Sequence, residues 1–214
     1  TQFIRVKRSG LTLTDAESVE FKPLLLKAIE ASKDQKLKAL FKGLKNSGDF
    51  EIESHFVEGS DLYLGFKSPR GASQQSLVLI VHGFETIFRS KTLEASQLAP
   101  SQWIDFGKSV GAPHRLSDLI QINGTLFATT VCDAEDCGGV WKLQKAKREG
   151  DLLIAEELRF YEGLRPEGLA FNPADSSLFV TFDQKSETPR FARLPIETPV
   201  PGTQQIEAAT AHVR

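Results

Sequence analysis

Three passages of this chain place a polar or acidic residue near the start of a β-pattern, turn, and return on a strand that carries an aromatic residue. They are EIESHFVEGSDLYLGF (51–66), RLSDLIQINGTLFATT (115–130) and RPEGLAFNPADSSLFVTF (165–182). Each reads as two antiparallel strands around a tight turn, and Asn123-Gly124 is the strongest hairpin signal of the three. A second pair of short strands follows each passage. A recurring four-stranded unit is the signature of a β-propeller blade, whose first strand lines a central channel. The pattern therefore predicts that Glu53, Ser117 and Glu167 converge on one axis.

The fold class expected is all-β with one inserted helix: a β-propeller showing about three blades, as part of a larger ring that the family resemblance given below implies is six-bladed. A leading strand and turn of an incomplete blade occupy 1–22, an inserted amphipathic helix 23–48, the blades 49–196 and a strand-poor tail 197–214. Within the leading segment, Thr14 and Glu17 have capping-box spacing and predict a short helical turn over 15–20. Leu25, Leu26, Ile29, Leu37, Leu40, Phe41 and Leu44 recur at helical steps after Pro23, with a break point near 32–34 and a stop at Asn46-Ser47-Gly48. Such a helix covers a face or an edge of the sheets; a docking surface is the alternative. The first blade is predicted at 51–57, 61–67, 76–82 and 85–90, and SLVLIVHGF (76–84) suits a strand covered on both faces. The second has strands at 116–122, 125–131, 139–145 and 152–160, and a third begins at Arg165. Three blades leave a ring open, so the expected partner is an N-terminal half of the propeller or a completing chain.

Composition narrows the function classes. With a formal net charge of −2 and dispersed Lys and Arg, the chain lacks the basic stripe of a nucleic-acid binder. The basic stretch KALFKGLKNSG (38–48) reads as a solvated helix face. No apolar run is long enough to span a membrane as a helix.

Several strings resemble uncharacterised bacterial propellers related to the "esterase-like activity of phytase" domains: DFEIES, DLYLGFKSP, GGVWKL, RPEGLAFNP and LFVTFDQKSETPRFARL. Pro166-Glu167-Gly168-Leu169-Ala170 matches that group's first-strand motif, while Ile52-Glu53 is followed by Ser54-His55-Phe56 instead of Gly-Leu-Ala. Leu64-Gly65-Phe66-Lys67-Ser68-Pro69 carries Lys where the group has Arg. The resemblance covers roughly 49–195 and implies a six-bladed type of fold with an unproven activity, since a fold does not specify a function.

The candidate channel residues are Glu53, Ser117, Glu167, Arg165, Arg115, Lys67 and His114. Glu53 and Glu167 suit a divalent cation such as Ca²⁺, or an acid/base pair; equally, they can accept backbone amides of neighbouring blades. Arg165, Arg115 and Lys67 can bind a small anionic ligand or neutralise those carboxylates. Of His55, His82, His114 and His212, only His114 stands at a blade entrance, and the spacings support no zinc site. VHGFE (81–85) superficially resembles an oxyanion segment, but no G-x-S-x-G elbow accompanies it. Cys132 and Cys137 flank DAED between two antiparallel strands and suit a disulfide, hence a periplasmic or secreted protein; free thiols in the cytoplasm are the alternative. Asp133, Glu135 and Asp136 read as a solvated acidic turn. The function expected is a ligand- or protein-binding module. A metal-assisted ester or phosphoester hydrolase in the central channel is the alternative.

Overall fold

A computed structural model describes residues 2–42, 44, 50–71, 73–109, 112–133, 136–145, 152–183 and 189–196. The tail expected over 197–214 lies outside the described residues. The chain is mostly β.

Its first element is a hairpin of β1 (Gln2–Ser9) and β2 (Thr12–Glu20), which form a two-stranded sheet of their own. The helical turn expected over 15–20 is therefore strand. Local capping spacing loses to cross-strand pairing: Glu17 accepts from Arg5 at 2.7 Å and Asp15 pairs with Lys7 at 3.0 Å. Phe3 turns inward onto Phe21, while Ile4, Val6, Leu11 and Leu13 face outward.

The 3.6-residue pattern yields two helices, α1 (Phe21–Ala31) and α2 (Gln35–Phe41), instead of the single element read over 23–48. The break falls at 32–34, where Ser32 takes an extended conformation and Asp34 caps α2 by accepting from the Leu37 amide. Phe21, Leu25, Ala28 and Ile29 of α1, with Leu37 and Phe41 of α2, are buried against the β-structure. The stop signal at 46–48 lies outside the described residues.

The first four-stranded unit consists of β3 (Glu51–Glu58), β4 (Asp61–Ser68), β5 (Ser76–Val81) and β6 (Gln102–Asp105), each antiparallel to the next. The fourth strand expected at 85–90 is instead helix α3 (Glu85–Ser90). Gly83 takes φ +58°, which swings the chain out of β5, and Ile87 and Phe88 gain burial on the helical core. β5 is buried at every residue, as a strand with two covered faces must be.

After the two-residue β7 (Lys108–Ser109), the second unit repeats the arrangement with β8 (Ala112–Ile122), β9 (Thr125–Cys132), β10 (Cys137–Lys145) and β11 (Leu152–Glu162). Asn123 and Gly124 both have positive φ, as a two-residue hairpin turn of this kind requires. The two units join through their fourth strands: β11 pairs with β6 in parallel, with Leu153 opposite Ile104. Two like-oriented copies of one unit have parallel fourth strands by necessity. The combined sheet curls until β3 and β4 approach β8, giving a nearly closed, barrel-like sheet of eight strands. At the closure, a Cβ on Gly65 would lie 2.6 Å from Leu116 Cδ2 and 2.9 Å from Ser54 Oγ, so a larger residue there would have to displace both side chains. Val78, Ile104, Leu116, Leu119, Trp141 and Leu153 fill the interior.

A third, three-stranded antiparallel sheet of β12 (Arg165–Asn172), β13 (Ser177–Asp183) and β14 (Phe191–Pro195) packs on the second unit. Leu178 and Val180 are buried there with Ile122, Phe127 and Val140. Gly138 lets Pro166 pass at close range, since a Cβ at that position would lie 2.6 Å from the proline ring.

Candidate functional site

The three residues that the repeat singles out occupy one structural position. In β3, Ile52 pairs with Phe66 and Ser54 with Gly65, which leaves Glu53 as an extra residue. β8 does the same at Ser117, between Leu116 opposite Thr130 and Asp118 opposite Thr129. β12 does so at Glu167, between Pro166 opposite Phe182 and Gly168 opposite Thr181. Each is a β-bulge, which breaks the ladder and re-aims one side chain. β4 also carries an extra residue, Lys67, between the partners of Glu51 and Ile52.

Around these bulges the charged residues join into pairs along one rim. Lys67 Nζ lies 3.4 Å from Glu53 Oε1. The Ser117 hydroxyl donates to Glu167 Oε2 at 2.5 Å. Arg165 stands 3.7 Å from the other oxygen of Glu167 and 4.0 Å from Asp136. Asp133 accepts from Arg115 and, at 3.0 Å, pairs with Arg70. Ser117 and Glu167 thus meet as the repeat predicts, whereas Glu53 is turned to Lys67. Asp133 is held between Arg70 and Arg115, whereas Asp136 is exposed, as the solvated acidic turn read from the sequence requires, with Arg165 4.0 Å away. They flank the Cys132–Cys137 disulfide, which ties the end of β9 to the start of β10. Glu135 lies outside the described residues.

Guanidinium donors remain over. Among the described residues, Arg165 Nε and Arg70 Nη1 are buried without an acceptor. A buried donor without a partner costs about 1–3 kcal/mol, so both guanidinium groups are held against a polar penalty.

His114 is a core residue. It is buried, sits edge-on to Trp141 at 5.0 Å, and its Nδ1 lies 2.9 Å from Thr130 Oγ1. That hydroxyl accepts from Trp141 Nε1–H at 2.8 Å and from the Gly139 amide, so its own proton goes to His114 Nδ1. The imidazole proton then resides on Nε2. Burial pushes the His114 pKa down, with Asp133 opposing, so the ring is neutral at physiological pH. His82 pairs with Asp61, His55 packs edge-on to Phe3, and His212 lies outside the described residues.

The residue that sequence reasoning missed is Asp118. Its carboxylate accepts from the Leu169 amide of β12 at 2.7 Å and from the Leu119 amide at 2.8 Å. Burial pushes its pKa up, against those two hydrogen bonds and the nearby His55. Stapling a neighbouring sheet's backbone, considered above for Glu53 and Glu167, is what Asp118 does. The available signal was its place directly after the bulge, where the other copies have Ser54 and Gly168.

Among the described residues, no group of three or more His, Cys, Asp and Glu side chains is placed to hold a metal ion. Glu53 and Glu167 each face a cationic side chain, which opposes a divalent cation there. VHGFE forms the end of β5 and the turn into α3, and no helix of the described residues is long and apolar enough to cross a membrane. No family model matches the chain, and no curated protein matches it in sequence.

Proposed function

We propose that the chain is part of a β-propeller of the kind related to the "esterase-like activity of phytase" domains, and that its rim binds an anionic ligand or an acidic segment of a partner protein. The equivalent bulges at Glu53, Ser117 and Glu167 support the propeller reading. One observation carries the binding reading. Arg165 has a buried Nε–H without an acceptor, and its terminal nitrogens reach their carboxylates only at 3.7 and 4.0 Å. A guanidinium so loosely held is ready to take a carboxylate or phosphate in the bidentate geometry it favours. The engaged state of Glu53 and Glu167 favours binding over metal-assisted hydrolysis. The disulfide supports an oxidising compartment such as the periplasm or the extracellular space.

Titration calorimetry with inorganic phosphate and with an Asp/Glu-rich peptide tests this reading. Saturable binding of at least one probe, weakened about tenfold in Arg165→Gln and further by added salt, is the expected outcome. Binding of neither probe, or binding indifferent to Arg165, refutes it.

A further inference from the structure

Much of the apolar surface that the described residues leave bare belongs to one short segment, the β1–β2 hairpin. Leu11 is 97% exposed, Ile4 63%, Leu13 62% and Val6 41%. The two faces of the hairpin differ. Phe3 and Arg5 point into the molecule, onto the rings of Phe21 and Phe88, and Val19, opposite Phe3, is buried with them. Ile4 and Val6 alternate with these residues along β1, so they share the outer face with Arg8 and with Leu13, which stands opposite Arg8. Gly10 and Leu11 form the turn, and Gly10 supplies its positive φ, at +61°. Nothing in such a turn calls for a leucine at the apex, where polar residues are the rule.

Charge is graded along the hairpin too. The half nearer the turn carries a formal charge of +1, from Lys7 and Arg8 against Asp15. The half nearer the helices carries −1, from Arg5 against Glu17 and Glu20. Lys7 is paired with Asp15 at 3.0 Å, whereas Arg8 uses only its Nε–H, on the carbonyl of Gly10 at 2.8 Å. Among the described residues, Arg8 has no carboxylate partner. These charges oppose a second copy of the chain as the occupant of the outer face. Packing two outer faces together would bury Arg8 twice without an anion. Pairing two β1 edges about Val6 would set Arg5 against Lys7, and pairing two β2 edges about Ala16 would set Asp15 against Glu17.

We propose that the hairpin tip docks on an anionic lipid surface, with Leu11 and Leu13 entering the acyl boundary and the terminal nitrogens of Arg8 on headgroup phosphates. A bilayer interface accepts a protruding apolar side chain flanked by a cation without having to offer a socket for it. The contact lies on a different element from the Arg165 rim, so either can fail alone.

Co-sedimentation of the intact chain with phosphatidylcholine vesicles, with and without about 30% phosphatidylglycerol, provides the test. The anionic vesicles should bind about tenfold more tightly than the neutral ones. Leu11→Ser should weaken that binding about tenfold and Arg8→Gln about fivefold, while Arg165→Gln leaves it within about twofold. Leu11 and Arg8 are exposed, so their variants keep the fold, as thermal melts verify. In Leu11→Trp, indole emission should shift to the blue on anionic vesicles and be quenched by brominated acyl chains beyond the parent, whose Trp103 and Trp141 are buried. The proposal is overturned by absent or equal binding to the two vesicles, by Leu11→Trp emission indifferent to brominated lipid, or by a loss in Arg165→Gln as large as that in Leu11→Ser. A lipid-free dimer that Leu11→Ser dissolves would give the face to a second copy and overturn it as well.

Discussion

The helix-covered face of the first unit and the sheet-covered face of the second solve the same burial problem with different chemistry. On the first, Phe21, Leu25, Ile29, Leu37 and Phe41 close over Leu64, Phe66 and Leu79 through apolar contact. On the second, Leu178 and Val180 meet Ile122, Phe127 and Val140, but polar links run alongside: Asp118 to the Leu169 amide, and Ser117 to Glu167. The difference follows from the backbone. A helix satisfies its own amides and presents only side chains, so fitting it to a sheet is a matter of shape. Strand β12 has only β13 as a ladder partner, and the amides on its other edge need acceptors from elsewhere. Asp118 is such an acceptor. The joint between sheets is therefore set in register by polar groups along it, whereas the joint between helices and sheet is mainly apolar, with Asp34 tied to Ser101 at the foot of β6.

The largest effect that tests this contrast belongs to the helix-covered face. Phe66 is fully buried, with the rings of Phe41 and Phe50 each 5.7 Å away in edge contact. Phe66→Ala should cost about 3–5 kcal/mol in denaturant unfolding, with no new dependence on pH. A cost under about 1 kcal/mol would mean that the helices are not firmly seated.

Next comes the polar joint. Asp118→Ala strands two amides and should cost about 1.5–3 kcal/mol, with earlier hydrogen exchange at Leu169 as its local signature. Its pH dependence has a definite sign. The folded-state pKa is raised above 3.8, so the native state holds the proton more tightly than the unfolded chain does. Stability from this group is greatest below that value and declines as pH rises through the raised pKa. Asp118→Asn removes that decline, so its stability relative to the parent should improve from acid towards neutral pH. The opposite trend would remove Asp118 from its assigned place.

Opening the Cys132–Cys137 bond, by reduction or as the double Ser variant, should cost about 2 kcal/mol for so short a loop. It should also loosen Asp133 from Arg70 and Arg115, read as earlier hydrogen exchange at Asp133 on reduction. The smallest effect is expected at the helix break. Asp34→Ala removes the cap of α2 and should cost about 1 kcal/mol. Burial alone would raise the Asp34 pKa, but the Leu37 amide and the Ser101 hydroxyl hold it below 3.8. Its contribution is present above that value and is lost as pH falls through the lowered pKa, the reverse of Asp118. Stability curves of the two single variants, taken side by side, test both signs at once.

What could be read from the sequence was what neighbouring residues decide. The turn at Asn123-Gly124, the largely apolar strand β5, the helix break near Asp34 and the alignment of Glu53, Ser117 and Glu167 all rest on local chemistry. The errors lie where a distant partner decides. Residues 15–20 became strand because Arg5 and Lys7 stand opposite, and 85–90 became helix because 102–105 took the fourth place beside β5. The candidate site divides in the same way. Ser117 and Glu167 were legible through the repeat, whereas the pairing of Arg70 with Asp133 and the reach of Asp118 to β12 depend on packing between units that no spacing encodes.

The parallel pairing of β6 with β11 sets a timetable for synthesis. Strand β6 leaves the ribosome with β5 as its only ladder neighbour, and residues 152–154, which complete it, emerge roughly 2–10 s later at ordinary elongation rates. Through that interval the nascent chain carries an open edge beside the largely apolar β5, the kind of surface that pairs with another copy of itself. Slowing translation between the codons for Asp105 and Leu152 should therefore lower the soluble yield, although the finished protein is the same.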